Sequence, residues 1–275
     1  MGRHGIQDGH RARKRFGQNF LIDQGVINHI LGTIPSVGEI VEIGPGLGAL
    51  TIPMAARGNR VVAIELDRDV IDRLRVKLDA EGVGRYVDII SQDALQLDLT
   101  TLADSAGLTP PLTIVGNLPY NIATALITRL LAQADQGARI GEMLFMVQKE
   151  VAERLAAEPG DSAYSRLSVL VTAQAEVEHL FDVLPAAFNP PPKIDSSMIQ
   201  LAPRDQPLVP PADWPRFEQL VTAAFAQRRK TLRNNLKPFM SASTIEAAGV
   251  DSSLRAQALD IPAFLALARR LDQPD

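Results

Sequence analysis

Up to about residue 202, apolar and polar positions follow two alternating rhythms. Glu39–Ile43 (EIVEI) is a short apolar run that stops at a glycine, which predicts a buried strand. Leu50–Ala56 follows as a helix closed by Gly58, and Arg60–Leu66 (RVVAIEL) reads as a second strand. Val70, Ile71, Leu74 and Leu78 recur at helical spacing. Tyr86–Ser91, Leu112–Gly116 and Met143–Val147 are further strands, with helical stretches between them. Strands alternating with helices specify βαβ units, a mainly parallel sheet and right-handed crossovers, hence an α/β fold. Proline then changes the regime: nine of the 19 prolines lie in residues 185–215, around one strand-like run, Ser196–Leu201. Beyond Trp214 the pattern is helical throughout, over Phe217–Ala226, Thr231–Leu236 and Ile261–Leu271. The expected organisation is a basic tail (1–15), an α/β domain (16–202) and a small all-helical C-terminal domain (203–275).

Composition narrows the classes of function. The chain has 275 residues, 46% of them hydrophobic and 22% charged, as in ordinary globular proteins. No apolar run approaches the ~18 residues of a membrane span. The arginine-bearing N-terminus has no apolar signal region. A cytoplasmic protein without membrane contact is therefore expected. The absence of cysteine excludes disulfides, thiolate-bound zinc, iron–sulfur clusters and thiol catalysis. His4, His10, His29 and His179 are scattered without ligand spacing, so no metal site is expected.

Charge is less ordinary than its net value of −4 suggests. Residues 1–15 carry Arg3, Arg11, Arg13, Lys14 and Arg15 against Asp8 alone. Residues 228–237 carry Arg228, Arg229, Lys230, Arg233 and Lys237 and no acid; the rest of the chain has a balance of −13. Two short basic segments on an acidic body suit a polyanionic partner. A solvated tail and a solvated helix face would give the same count.

The chemical signals sit at strand ends. Glu42-Ile43-Gly44-Pro45-Gly46-Leu47-Gly48-Ala49 places glycines between a strand and a helix, where bare backbone can approach a ligand. It also satisfies the dinucleotide pattern G-x-G-x-x-G/A, which keeps an NAD-dependent oxidoreductase open. Glu65, 21 residues after Gly44, ends the second strand where a carboxylate can accept from both ribose hydroxyls. Asp93 ends the third, placed for an adenine amine or for a plain turn. Asn117-Leu118-Pro119-Tyr120 follows the fourth. Proline holds Leu118 extended and its carbonyl in a fixed direction. Asn117 adds a second neutral acceptor and Tyr120 a flat face. Two acceptors beside a ring suit a planar exocyclic amine, whose lone pair is freed as its protons are accepted. A hydride-transfer enzyme has no need of this motif.

Together these stretches resemble the S-adenosylmethionine-dependent small-subunit rRNA adenine dimethyltransferases, the kasugamycin-sensitivity family. The matching segments are RKRFGQNFL (13–21), EIGPGLGALT (42–51), ELD (65–67), QDA (92–94) and NLPYNI (117–122). QKEVAERL (148–155), FNPPPKIDS (188–196) and FAQRRKTLRNNL (225–236) complete the series. The large-subunit rRNA methyltransferases of macrolide resistance share most of the first seven, and remain the alternative. Gln92 departs from the family, which often has glycine there.

The resemblance implies a Rossmann-like class I methyltransferase domain with a helical RNA-binding domain. Gly44, Gly46 and Gly48 would line the methionine moiety, Glu65 the ribose and Asp93 the adenine of S-adenosyl-L-methionine. Asn19 and Leu21 would close over it. Asn117, itself near the cofactor, and the Leu118 carbonyl would hold the target amine. Tyr120 and Phe188 would stack an extruded adenine. Arg13, Lys14, Arg15, Arg228, Arg229, Lys230 and Arg233 would bind RNA. The implied substrate is 16S rRNA, within the small ribosomal subunit or its precursor, and the implied enzyme is a monomer that dimethylates two adjacent adenosines of the 3′-terminal hairpin loop.

Overall fold

The computed structural model describes residues 6–7, 10–11, 19–36 and 38–271. The predicted contacts of Arg13, Lys14 and Arg15 lie outside these residues. The chain divides into two compact units, one of residues 1–152 and 178–202, the other of residues 153–177 and 203–275.

The first unit is built on a seven-stranded sheet. Its strands are β1 (Glu39–Ile43), β2 (Arg60–Glu65), β3 (Val87–Ser91), β4 (Leu112–Asn117), β5 (Ile140–Gln148), β6 (Ala175–Val183) and β7 (Ser196–Pro203). Their order across the sheet is β3-β2-β1-β4-β5-β7-β6. The pairs β1–β2, β2–β3, β1–β4 and β4–β5 are parallel, and β7 runs antiparallel to β5. The order reverses direction between β1 and β4. Loops leaving the carboxyl ends of those two strands diverge, and a crevice opens between them.

Local chemistry explains the elements. The interiors of β1, β2 and β4 are apolar apart from Glu42 and Thr113, as strands covered on both faces require. Helix α1 (Gln24–Thr33) starts where Asp23 accepts from the Val26 N–H, and α3 (Arg68–Ala80) where Asp67 caps Asp69. Between them α2 (Thr51–Ala56) follows the glycine turn. Helices α4 (Leu99–Ala106) and α5 (Ala123–Asp135) bury Leu99 and Leu102, and Leu126, Ile127, Leu130 and Leu131. Phe20–Leu21 pairs antiparallel with Phe188–Asn189, and both segments feed a core with Ile30, Leu31, Val115, Leu144 and Met198.

Strand β6 was not expected from the pattern. Its sequence, AEVEHLFDV, has an acid or His179 at four of nine positions, and only its two end residues are fully buried. A sheet-edge strand needs little apolar surface, so local periodicity says little about it.

The second unit is helical. Helix α6 (Lys149–Ala156) leads into it, and α7 (Arg166–Thr172) packs on α8 (Trp214–Ala224). Short helices α9 (Leu232–Asn235) and α10 (Ala242–Ala247) and the closing α11 (Ile261–Ala268) complete it. Its core joins Val169 and Leu170 to Phe217, Leu220, Val221, Phe264 and Leu267. Residues 153–177, read from sequence as part of the α/β domain, therefore cluster with the C-terminal helices. The cause is the apolar face of α7, whose partners lie more than forty residues further along the chain. No helix of the described residues is long and apolar enough to cross a membrane.

Candidate active site

A cavity of about 740 Å³ opens at the carboxyl ends of β1, β2, β3 and β4. Asn19, Leu21, Gly44, Gly46, Gly48, Glu65, Asp93, Asn117, Leu118 and Tyr120 all line it. Ten predicted site residues from five separate stretches are thus brought together by the sheet.

The glycine turn is shaped by what it lacks. Gly44, Gly46 and Gly48 have φ of 70°, 55° and 87°, in the left-handed region. At Gly46 a Cβ would stand 3.2 Å from the Phe20 ring, and at Gly48 2.8 Å from a Leu74 methyl. Gly116, one residue before the Asn-Leu-Pro-Tyr motif, is tighter still. A Cβ there would meet the Ile43 carbonyl oxygen at 2.6 Å, so only glycine lets β4 lie this close to β1. Sequence reading passed over Gly116, because its constraint comes from the neighbouring strand.

The carboxylates differ in setting. Glu65 Oε1 accepts from the backbone N–H groups of Leu66 (2.8 Å) and Asp67 (2.9 Å), which fixes the side chain at the end of β2. Burial pushes its pKa up, and those backbone bonds pull against the shift. Asp93 Oδ1 accepts from the Leu95 N–H (2.9 Å) and caps a short 3-10 turn. The turn role therefore occupies one of its oxygens, and the other is left for the cavity.

Glu42 is the residue whose importance sequence reading did not register. It is fully buried in β1, and burial pushes its carboxyl up to about 7. Thr51 beside it moderates the shift and the charge of Glu65 adds to it. Neither Glu42 Oε2 nor Thr51 Oγ1 completes a hydrogen bond among the described residues. The available signal was a second acid in EIVEI, set between apolar residues where Glu39 only opens the strand.

At the end of β4, Asn117 Nδ2 donates to the Asn19 carbonyl (3.1 Å). That bond ties the amide to the segment before α1 and leaves its oxygen as an acceptor. The Leu118 N–H donates to Met146 O (3.1 Å), and its side chain is buried, which pins the peptide. The Tyr120 hydroxyl lies 2.7 Å from the hydroxyl of Ser196, at the start of β7. Burial raises the pKa of this phenol, and the bond to Ser196 pulls against the shift.

Phe188 is placed elsewhere. It is 3% exposed, sits in the core with Leu21 and Met198, and does not line the cavity. Its register partner across the short antiparallel pair is Leu21. In this arrangement its ring anchors the segment that carries Asn19, and offers no face to a ligand.

The cavity suits a cationic, hydroxyl-bearing ligand such as S-adenosylmethionine. Its charged lining is four carboxylates, Glu42, Glu65, Glu81 and Asp93, against Lys77, one buried carboxylate oxygen completes no hydrogen bond among the described residues, and a Cβ-free turn leaves backbone accessible. Among the described residues, no cluster of three or more His, Cys, Asp or Glu could hold a metal.

On the second unit, Arg228, Arg229, Lys230, Arg233 and Lys237 are all exposed, in the turn after α8, on α9 and just beyond it. The Arg228 guanidinium donates to the Ser162 carbonyl, and its own carbonyl accepts from Gln257 Nε2 (3.3 Å).

A ribosomal RNA small subunit methyltransferase A of Pseudomonas aeruginosa is 50% identical over 264 residues, 95% of each chain. One from Thiobacillus denitrificans is 47% identical over 95% of this chain and 98% of its own. Among solved structures, a dimethyladenosine transferase from Plasmodium falciparum shares the fold, with a TM-score of 0.72 over 90% of this chain and 95% of its own, at 24% identity. The 23S rRNA methyltransferase ErmE is 27% identical, with a TM-score of 0.68, 93% of this chain and 100% of its own being covered. Residues 9–273 match the ribosomal RNA adenine dimethylase family, and the chain belongs to it.

Proposed function

We propose that this enzyme transfers methyl groups from S-adenosyl-L-methionine to the exocyclic amines of two adjacent adenosines in the 3′-terminal hairpin loop of 16S rRNA. It acts as a cytoplasmic monomer on the small ribosomal subunit or its precursor, and contributes to maturation of that subunit. The observation that carries this reading is the convergence, in one cavity, of the glycine turn, Glu65, Asp93 and Asn117–Tyr120. The small-subunit substrate is favoured over a large-subunit one by the relatives named as small-subunit methyltransferases, whose identity is near 50% over almost the whole chain. An NAD-dependent oxidoreductase would leave Asn117–Tyr120 without a purpose.

The cofactor, when bound, supplies an electrophilic methyl group on a sulfonium. The chain does the rest by positioning. Gly44–Gly48 gives it backbone to lie against, Glu65 accepts from vicinal hydroxyls, and Asp93 accepts from an exocyclic amine. Asn19 and Leu21 cover the cavity from the segment preceding α1. The Asn117 amide oxygen and the Leu118 carbonyl accept hydrogen bonds from the target amine, which draws its nitrogen toward tetrahedral geometry, and the methylated ammonium then loses its proton to water. Both acceptors are held before substrate arrives, so little reorganisation is left for the reaction. The target base must leave its stack to reach them. Tyr120 is the ring at hand to receive it, with its hydroxyl fixed by Ser196. Phe188 supports the cover from the core.

Mass spectrometry of 16S rRNA from cells with and without the protein tests the proposal. Loss of dimethyladenosine on deletion is expected, with its return on complementation. Unchanged dimethyladenosine would overturn it.

A further inference from the structure

The second unit carries a groove that the methyl-transfer site does not use. It encloses about 680 Å³ between α8 and the stretch from α9 to Phe239. Its walls combine an aromatic ring with polar side chains: Glu218, Gln219, Gln227, Asn234 and Phe239. Phe239 is 39% exposed, unusual for a phenylalanine in a unit with a well-filled core. Among the described residues no hydrogen bond occupies the side-chain amide of Gln219 or Gln227. One wall is fixed from behind: buried Asn235 donates from Nδ2 to the carbonyls of Ala224 (2.6 Å) and Gln227 (3.1 Å). That joins the end of α8 to α9 and holds the opening in place.

The chemistry of the rim selects the occupant. Gln227 is followed directly by Arg228, Arg229 and Lys230, Asn234 is preceded by Arg233, and no acid interrupts residues 228–237. An exposed ring stacks on any planar base. Carboxamides read donor and acceptor edges in either direction, and a carboxylate such as Glu218 accepts from an exocyclic amine. Cations beside such a pocket meet the phosphates on either side of the base. We propose that this groove captures one unstacked nucleobase of the RNA substrate, stacked on Phe239 and edge-bonded by Gln219 and Gln227, while Arg229, Lys230 and Arg233 hold its flanking phosphates. It would be a second base-binding site, distinct from the one that positions the reacting adenine. The proposal rests on the RNA-methylating reading above.

The test uses the full chain and a short single-stranded RNA oligonucleotide as probe, with affinity measured across a salt series. Phe239→Ala and Phe239→Leu are both expected to weaken binding by about ten- to a hundredfold, the size of one base–aromatic stack. Phe239→Tyr should retain wild-type affinity. The slope of log affinity against log salt should be the same in all four proteins, because no phosphate contact is lost. Binding of S-adenosylmethionine should be unchanged. Wild-type affinity in Phe239→Leu would overturn the proposal and leave the groove to a protein partner. A loss shared by Phe239→Tyr would overturn it as well, since bulk rather than stacking would then be at stake. If Phe239→Ala melts early, the Leu and Tyr variants decide between these outcomes. Failure of the wild-type protein to methylate rRNA at all would instead count against the function proposed above.

Discussion

The cavity at the carboxyl ends of β1 to β4 and the basic segment of the helical unit are built by opposite means. The cavity is shaped by the position of the backbone and of two carboxylates: glycines in the left-handed region, a strand pair that tolerates no Cβ at Gly116, and Glu42 and Glu65, whose pKa values burial raises. Glu65, Asp93, Asn117 and Tyr120 are each half-buried and held by a hydrogen bond, so one altered atom is felt strongly. On the basic face five exposed cations lie within ten residues, in a turn, on a four-residue helix and beyond it. Their effects are screened, spread over several groups and dependent on salt. The contrast predicts steep, salt-independent losses in the cavity and shallow, salt-dependent ones on the basic face.

Asn117→Ala should break the cavity most severely. It removes the bond to Asn19 and, on the proposed function, one of the two preset acceptors for the amine. Loss of a single preorganised hydrogen-bonding group typically lowers turnover by about a hundredfold or more. Cofactor affinity should fall far less, and calorimetry beside a tritium-transfer assay separates the two. Near-wild-type turnover would remove Asn117 from the chemistry.

Glu42 offers a stability readout independent of activity. Its folded pKa of about 7 lies above the ordinary 4.5, chiefly because it is buried. Between those two pH values the unfolded chain has released this proton while the folded chain still holds it, so stability falls as pH rises through the window. Above about pH 7 the cost is complete, at up to roughly 3 kcal/mol. Glu42→Gln should therefore melt higher than wild type near pH 8, with the difference shrinking toward pH 5, when both are measured without cofactor. A gap that does not change with pH would show that Glu42 is charged in the folded protein at all these values.

Glu65→Ala is the milder cavity change. A charge-assisted hydrogen bond is worth roughly 1.5–3 kcal/mol, so cofactor affinity should drop about tenfold or somewhat more. The same pocket should not bind NAD tightly. NAD binding that Glu65→Ala abolishes would reverse the functional reading.

The two regions also differed in how far sequence exposed them. Strands such as Arg60–Glu65 are apolar, short and bounded by turn residues, so the α/β frame and the residues at its strand ends could be read directly. What escaped depended on neighbours distant in sequence. Gly116 is constrained by Ile43, α7 belongs with helices beyond residue 203, and β6 is a polar edge strand. Phe188 shows the same limit: its proline-rich setting marked a fixed ring, and only packing with Leu21 and Met198 shows which way that ring turns. On the basic face the charges were countable from the start, but their separate duties were not.

Those duties can be separated by the smallest change per residue. Arg229, Lys230 and Arg233 are exposed, whereas Arg228 bonds to Ser162 and, through its backbone, to Gln257. Replacing Arg229, Lys230 and Arg233 together by Ala should flatten the slope of log affinity against log salt by about 2 to 3, since each phosphate contact contributes about 0.7–0.9. Melting temperature and cofactor affinity should hold. At high salt the triple variant and wild type should converge, because the lost term is the one that salt removes. Adding Arg228→Ala should lower the melting temperature as well, because that side chain spans two segments of the unit. An unchanged slope in the triple variant would make these cations a solvated surface and nothing more. A melting loss already present in the triple variant would mean that their alkyl stems pack against the helices, and the division of labour between Arg228 and its neighbours would fall.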